Sequence, residues 1–284
     1  YVSQLTREHV TVSLTGDGGD ELFIGYPRYS ATALGTQLDR LGILKPLLGA
    51  ACWQRLPSSA RQKSKLRQFK RFSEALRLSP LERYLDWTCI FNARRRGALY
   101  ADGFMERLTE GNPVRFLQAT WESLQARDQV TAVSLLDLQT YLPCDLMTKV
   151  DIASMAHSLE CRQPFLDTGL VELAASFPLR WKFRGGRGKR MLAKAFGDLL
   201  PASIWSRKKM GFGVPLDHWF RNELRDLTHD VLLGTRAADR GFFRQASVAE
   251  LIRQHEHSEF DHAYRLWALL IFELWAQQWC DSPI

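Results

Sequence analysis

Residues Val10 to Tyr29 read VTVSLTGDGGDELFIGYPRY. Val10, Val12 and Leu14 alternate with Thr11 and Ser13, the period of a short β-strand. The strand runs into Thr15-Gly16-Asp17-Gly18-Gly19-Asp20-Glu21. Three glycines in four positions let the backbone turn tightly and approach a ligand closely. Asp17, Asp20 and Glu21 put three carboxylates within five residues, and the apolar run Leu22-Phe23-Ile24 follows. A strand end that opens into a loop is where parallel α/β sheets place ligand chemistry. The plain alternative is a strand, a turn and a helix start, because Gly and Asp also dominate ordinary turns. No Gly-Lys-Ser/Thr follows the glycines, so this is not a Walker A loop, and the spacing is not that of an EF-hand. Acidic side chains in such a loop suit a cation, an ammonium or amine, or a phosphate held through Mg²⁺.

Two later blocks extend the pattern. One holds Leu142-Pro143, Asp145, Lys149-Val150-Asp151, Ala153-Ser154-Met155, Ser158-Leu159-Glu160, Arg162 and Pro164-Phe165-Leu166-Asp167. The other is Arg207-Lys208-Lys209-Met210-Gly211-Phe212-Gly213-Val214-Pro215-Leu216. Together with the run from Ser13 to Tyr26, these blocks closely resemble the glutamine-hydrolysing asparagine synthetase family. Its core loop reads roughly S-G-[DE]-G-[AG]-D-E-[LV]-F-G-G-Y. Three blocks in the right order over most of the chain are far more specific than one loop.

The resemblance implies a fold. The family's synthetase domain is an α/β ATP-pyrophosphatase (adenine nucleotide alpha-hydrolase-like) domain, whose sheet leads into a large helical region. This chain would be the late portion of that domain. Residues 1–30 would carry the sheet end and the acidic loop, and residues 31–284 the helical region. The fragment itself reads as mostly α, with one clear strand near the start.

The resemblance also implies a reaction. A carboxylate, aspartate in the family, attacks the α-phosphate of Mg-ATP, pyrophosphate leaves, and ammonia attacks the acyl carbon of the acyl-adenylate. Such chemistry needs cations for the departing pyrophosphate, a metal to bridge the phosphates and a carboxylate to take a proton from the amine. Asp17 stands at the family's Glu/Asp position and is the expected proton acceptor. Thr15 and Gly16 occupy the Ser-Gly positions that contact the nucleotide, with Thr keeping the hydroxyl. Asp20 is expected to be structural or near the metal. Lys209 aligns with the lysine that neutralises pyrophosphate. Lys149 and Asp151 are expected either to shape the substrate pocket or to form a surface ion pair. ATP and Mg²⁺ are the implied cofactors. Glutamine-derived ammonia would come from an N-terminal glutaminase domain missing here, and a homodimer is left open. The family's S-G-G-x-D-S loop and N-terminal catalytic Cys are absent, so this piece alone is expected neither to hydrolyse glutamine nor to bind ATP fully.

Composition sets outer bounds. The chain has 284 residues, 45% hydrophobic and 24% charged, enough for one large or two small cores. Its most apolar run, Trp267 to Trp275, is short and interrupted by Glu273, so no membrane span is expected. There is no secretory pattern at the start. The chain opens on Tyr1 rather than Met and almost directly on a strand, as a piece of a longer protein would. Five scattered cysteines, none in a C-x-x-C pair, argue for reduced thiols in the cytoplasm and against zinc. A net charge of +7 suits phosphate-bearing ligands and nucleic acid alike.

The rest of the chain reads as helices. Tyr29 to Leu48 has a weak break at Gly42. Trp53 to Lys70 carries six basic residues, read as a solvated helix face rather than a nucleic-acid patch, since few aromatics are interleaved. Ser79-Pro80 opens a helix over Leu81–Phe91, and Arg94-Arg95-Arg96 reads as a surface turn. Helices follow at Pro113–Ala126 and Ala132–Tyr141, the latter with Asp137 and Gln139 on its polar face. Pro143 should break the chain before a helix over Leu146–Ser158, and Asp167 or Thr168 should cap Gly169–Ser176. Phe183 to Lys189, FRGGRGK, could cradle phosphate or simply connect. Helices are expected at Met191–Leu200 and Leu216–Leu233. His255-Glu256-His257 reads as a polar helix face, and the aromatics of His262–Cys280 read as core.

Other classes stay open. β-lactam-forming synthetases share the activation chemistry but carry Tyr at the Asp17 position. Lasso-peptide cyclases and amidotransferases of surface-polysaccharide clusters are further relatives, acting on other carboxylates. A basic nucleic-acid-binding module would bind in a salt-sensitive way, but it leaves the acidic loop unexplained. A non-catalytic scaffold would lack the S-G-G-x-D-S loop in the full-length gene.

Overall fold

The alternation at Val12–Leu14 forms a strand, β1, and it does not stand alone. Its neighbour, β2, is Glu160–Arg162, and the two pair in parallel with Ser13 opposite Cys161, 148 residues later. Thr15 N–H donates to the Arg162 carbonyl at 2.8 Å, so the ladder runs into the acidic loop. The sequence offers no sign of β2, because Glu-Cys-Arg carries no apolar alternation. A helix, Val2–Arg7, also precedes β1, so the chain does not open directly on the strand.

The computed structural model describes residues 1–42, 44–50, 52–53, 65–108, 113–206 and 213–281. They fall into two compact units, Tyr1–Lys45 with Pro113–Lys209, and Pro46–Asn112 with Met210–Ile284. Both are mostly helical, and the sheet belongs to the first.

In the first unit the helix Pro27–Leu41 packs against Gln129–Gln139, whose start is capped by Asp128 accepting from Thr131 N–H at 2.9 Å. Leu22 and Phe23, just after the acidic loop, pack on Ala174, Phe165 and Leu138. Pro143 does not break the chain. The interruption comes earlier, at Thr140 (φ −129°, ψ −70°), and Leu142–Met147 then form a π-helical turn leading into Thr148–Met155. Pro143 lies in the first turn, where a missing N–H costs little. Asp167 caps Thr168–Ser176 as expected, accepting from Leu170 N–H at 3.1 Å.

In the second unit Ser79 and Glu82 form a reciprocal capping box at the start of Pro80–Thr88. Arg94, Arg95 and Arg96 lie on a helix, Ala93–Leu99, and not in a turn. Of the basic stretch after Trp53, Arg55, Arg61 and Lys63 lie outside the described residues, and Lys70 is buried on the Lys65–Ala75 helix. The stretch from Leu216 splits into Leu216–Trp219 and Arg225–Leu232.

The long helix Ala263–Trp279 corrects the sequence reading. Its buried face is Leu266, Leu269, Leu270 and Ala276, packed with Phe220, Leu232 and Ile252, whereas Trp267, Trp275 and Trp279 are exposed. Glu273 is buried beside Arg240, whose guanidinium spans Glu273 at 3.0 Å and Asp281 at 2.8 Å. No helix among the described residues is long and apolar enough to cross a membrane, and all five cysteines are unpaired.

His255 corrects it too. It is wholly buried, not on a polar face: Nδ1 accepts from His262 N–H at 3.1 Å and Nε2 donates to the Asp217 carbonyl at 3.2 Å. Burial, aided by the Arg221 charge, pushes its pKa below the ordinary value. The neutral ring therefore contributes stability that is complete above the unfolded imidazole pKa of about 6.5 and is lost as pH falls toward the depressed folded value. The thermal midpoint is expected to drop between about pH 7.5 and about pH 5.5, and His255→Gln should flatten part of that drop. Identical pH profiles for the two proteins would show that this ring is not the titrating group.

Candidate active site

The loop after β1 is built by close packing against the segment that follows β2. Gly18 caps the short helix Gly19–Leu22 in the left-handed region, at φ 86°. A Cβ there would collide with the Leu166 side chain, so only glycine admits both the turn and the approach. Within the loop, Thr15 Oγ1 donates to Asp17 Oδ2 at 2.8 Å and orients that carboxylate. Both side chains are partly exposed, and around Gly16 there is open space, with nothing within 4 Å of where its Cβ would be.

Asp20 is held by a residue that the sequence reading did not single out. Lys189 Nζ lies 3.0 Å from Asp20 Oδ1, and Lys189 N–H donates to the Phe23 carbonyl at 2.7 Å. Gly25 makes room for this pair, since a Cβ there would run into the Asp20 carboxylate and the Lys189 stem. The segment FRGGRGK thus docks on the acidic loop and ends with its lysine against it. Both segments stand out in the sequence; only folding pairs them.

Behind the loop lies a buried polar network. Glu21 is 1% exposed and accepts from Tyr26 Oη at 2.7 Å. Burial raises the Glu21 pKa, partly opposed by that hydrogen bond. Asp137, expected on a polar helix face, is fully buried. It accepts from Arg28 Nε at 2.8 Å and from Tyr29 Oη at 2.7 Å. The Arg28 guanidinium lies 4.0 Å from the Tyr26 ring centroid and 4.6 Å from that of Tyr141, within cation–π range. Burial pushes the Tyr26 and Tyr29 phenols up, so both stay protonated donors. The signal available in the sequence was an aspartate flanked by Leu135, Leu136 and Leu138.

The remaining expected residues do not join this cluster in any hydrogen bond or ion pair. Lys149 and Asp151 are exposed on Thr148–Met155, the helix before β2, and make no ion pair among the described residues. Lys209 lies outside the described residues.

Removing one member of a buried charged pair strands the other. Asp137→Ala is therefore expected to cost about 3–5 kcal/mol in urea unfolding, and Asp137→Asn less. A loss below about 1 kcal/mol for Asp137→Ala would show that the network does not support the loop.

Comparison with known proteins gives a consistent result. A family model described as asparagine synthase matches residues 1–277. The chain is 29% identical over 280 residues to asparagine synthetase [glutamine-hydrolyzing] 1 of Bacillus subtilis, covering 97% of this chain and 42% of that protein. It is 33% identical over 283 residues to a putative asparagine synthetase [glutamine-hydrolyzing] of Mycobacterium bovis, covering 97% of this chain and 40% of the other. A third, asparagine synthetase [glutamine-hydrolyzing] 3 of Bacillus subtilis, is 38% identical over 85 residues, 30% of this chain and 13% of that protein. The chain thus spans about two fifths of the length of the first two relatives. No solved structure matches it significantly. With the family model matching nearly end to end, the chain belongs to the asparagine synthase family.

Proposed function

We propose that this chain is the late part of an ATP-pyrophosphatase-type domain in an ATP-dependent, amide-forming ligase. Aspartate is the substrate we assign, glutamine the source of ammonia, and asparagine, AMP and pyrophosphate the products. The observation that carries this reading is the oriented carboxylate, Asp17 held by Thr15, on an open glycine loop at the end of a parallel strand.

The chemistry divides into two steps. The substrate carboxylate attacks the α-phosphorus of ATP, an acyl-adenylate forms, and the bond to the bridging oxygen breaks to release pyrophosphate. Ammonia then attacks the acyl carbon, AMP leaves, and the nitrogen loses a proton. Asp17 is suited to accept that proton, because the Thr15 hydrogen bond fixes one oxygen and leaves the other available. Lys189 is suited to the pyrophosphate charge, standing 3.0 Å from Asp20 on the same loop. Lys209 is assigned the same task by its place in the motif.

ATP would supply the adenylyl group and Mg²⁺ the positive charge that offsets its phosphates. A phosphate-held Mg²⁺ needs one or two carboxylates and not a closed protein cage. Asp20, partly exposed on the same loop as Asp17, fits that requirement. No cluster of three or more His, Cys, Asp or Glu suited to a metal occurs among the described residues. Thr15 and the open space around Gly16 suit close approach of a nucleotide. Lys149 and Asp151, exposed before β2, are assigned to shaping the substrate pocket. The unpaired cysteines suit a cytoplasmic setting.

The test is pyrophosphate release and asparagine formation by the full-length protein with ATP and aspartate, with and without glutamine. Asp17→Asn is expected to lower asparagine formation by about 10²–10⁴-fold while aspartate-dependent exchange of pyrophosphate into ATP persists. Lys189→Ala is expected to slow pyrophosphate release by roughly 10²-fold or more. No release with aspartate, from a protein that binds ATP, would reassign the substrate to another carboxylate.

A further inference from the structure

The second unit carries a cationic cavity that the proposed reaction does not use. It measures about 410 Å³ and is lined by Arg71, Arg95 and Arg265, with Trp87, Tyr264 and His262 beside them. Four helices bring these side chains together, Lys65–Ala75, Pro80–Thr88, Ala93–Leu99 and Ala263–Trp279. A second cavity, about 400 Å³, adjoins it and shares Arg95 and Arg265. That lobe is largely apolar, lined by Phe91, Ala98, Leu99 and Leu251.

Arg71 and Arg95 meet the protein through long contacts to main-chain carbonyls. Arg71 donates to the Asp86 and Trp87 carbonyls at 3.3 and 3.4 Å, and Arg95 to the Ile90 carbonyl at 3.3 Å. Neither guanidinium makes an ion pair among the described residues, although each presents five N–H donors. Burial and the neighbouring charges of Arg71 and Arg94 depress the Arg95 pKa, with Asp86 opposing. His262 lies 3.0 Å from the Arg265 guanidinium through Nδ1 and 2.7 Å from the Gln254 side-chain oxygen through Nε2. Of the carboxylates nearby, Asp86 accepts from Asn92, Glu74 pairs with Arg94 at 2.8 Å, Asp261 accepts from Ala263 N–H at 3.0 Å among its contacts, and Glu250, on the second lobe, is gripped by Arg253 at 2.8 Å. Arg71 is exposed and Arg95 partly exposed, so a dissolved anion can reach both guanidinium groups. Each cavity is within the size range of small-molecule sites, which combine apolar walls with a few convergent polar groups.

We propose that the two lobes form a binding site for a small amphipathic anion, with a phosphate or carboxylate head between Arg71 and Arg95 and a planar apolar body against Phe91, Leu99 and Leu251. The site lies within the second unit, whereas the acidic loop belongs to the first.

The test is calorimetric titration of the full-length protein with phenyl phosphate, benzoate and inorganic phosphate. At least one ring-bearing probe is expected to bind saturably. Arg95→Ala should weaken that binding by roughly tenfold or more. Arg95→Lys should weaken it less, since lysine loses the two-pronged geometry but keeps the charge, and it carries the test if the alanine variant fails to fold. Ala98→Phe, which fills the apolar lobe, should exclude the ring-bearing probes and leave inorganic phosphate unaffected. Lys189→Ala, on the first unit, should leave the binding of the ring-bearing probe in place. Saturable binding of phenyl phosphate alone identifies a phosphate ligand, and of benzoate alone a carboxylate. Failure of both ring-bearing probes to bind overturns the proposal. So does binding that Arg95→Lys and Ala98→Phe leave unchanged, or binding that Lys189→Ala abolishes.

Discussion

Like charge is the constraint around which the first unit is arranged. Three carboxylates within five residues repel one another, and each is accommodated differently. Asp17 takes the Thr15 hydroxyl and stays partly in water. Asp20 takes a full counter-charge from Lys189. Glu21 turns inward, where burial favours its protonated form and Tyr26 supplies a hydrogen bond. Asp17 and Asp20 thus stay partly exposed, while Glu21 is removed from water.

Packing makes those depths possible. Leu22 and Phe23 pull the loop's end into the core, while Gly18 and Gly25 let Leu166 and Lys189 come close. The arginine–tyrosine–aspartate network underneath is a costly way to fill an interior, since buried ions surrender solvation. Its partners are numerous and well placed, which makes it a rigid floor.

Local features were legible in the sequence and distant pairings were not. β1, the acidic loop, the Asp167 cap and the start of the Pro80–Thr88 helix follow from neighbouring residues, and the structure bears them out. β2, Glu-Cys-Arg, carries no apolar alternation to mark it. Asp137 reads as solvated because periodicity treats charge as outward, and only a partner elsewhere reverses that rule. The tryptophans of Ala263–Trp279 read as core because large aromatics usually are, yet leucines occupy the buried stripe. Lys189 was visible as part of a basic glycine segment, but nothing local ties it to Asp20.

The parallel pairing of β1 with β2 also has a consequence in time. Contacts of such sequence separation close slowly, because the intervening chain must first be ordered. Synthesis at about 5–20 residues per second places the acidic loop outside the ribosome roughly 7–30 s before the strand it pairs with, 148 residues later. During that interval the three carboxylates have neither Lys189 nor the Leu166 packing that holds their turn. The loop therefore spends the early life of the chain as an ordinary hydrated acidic segment. Its arrangement is among the last things the nascent unit acquires.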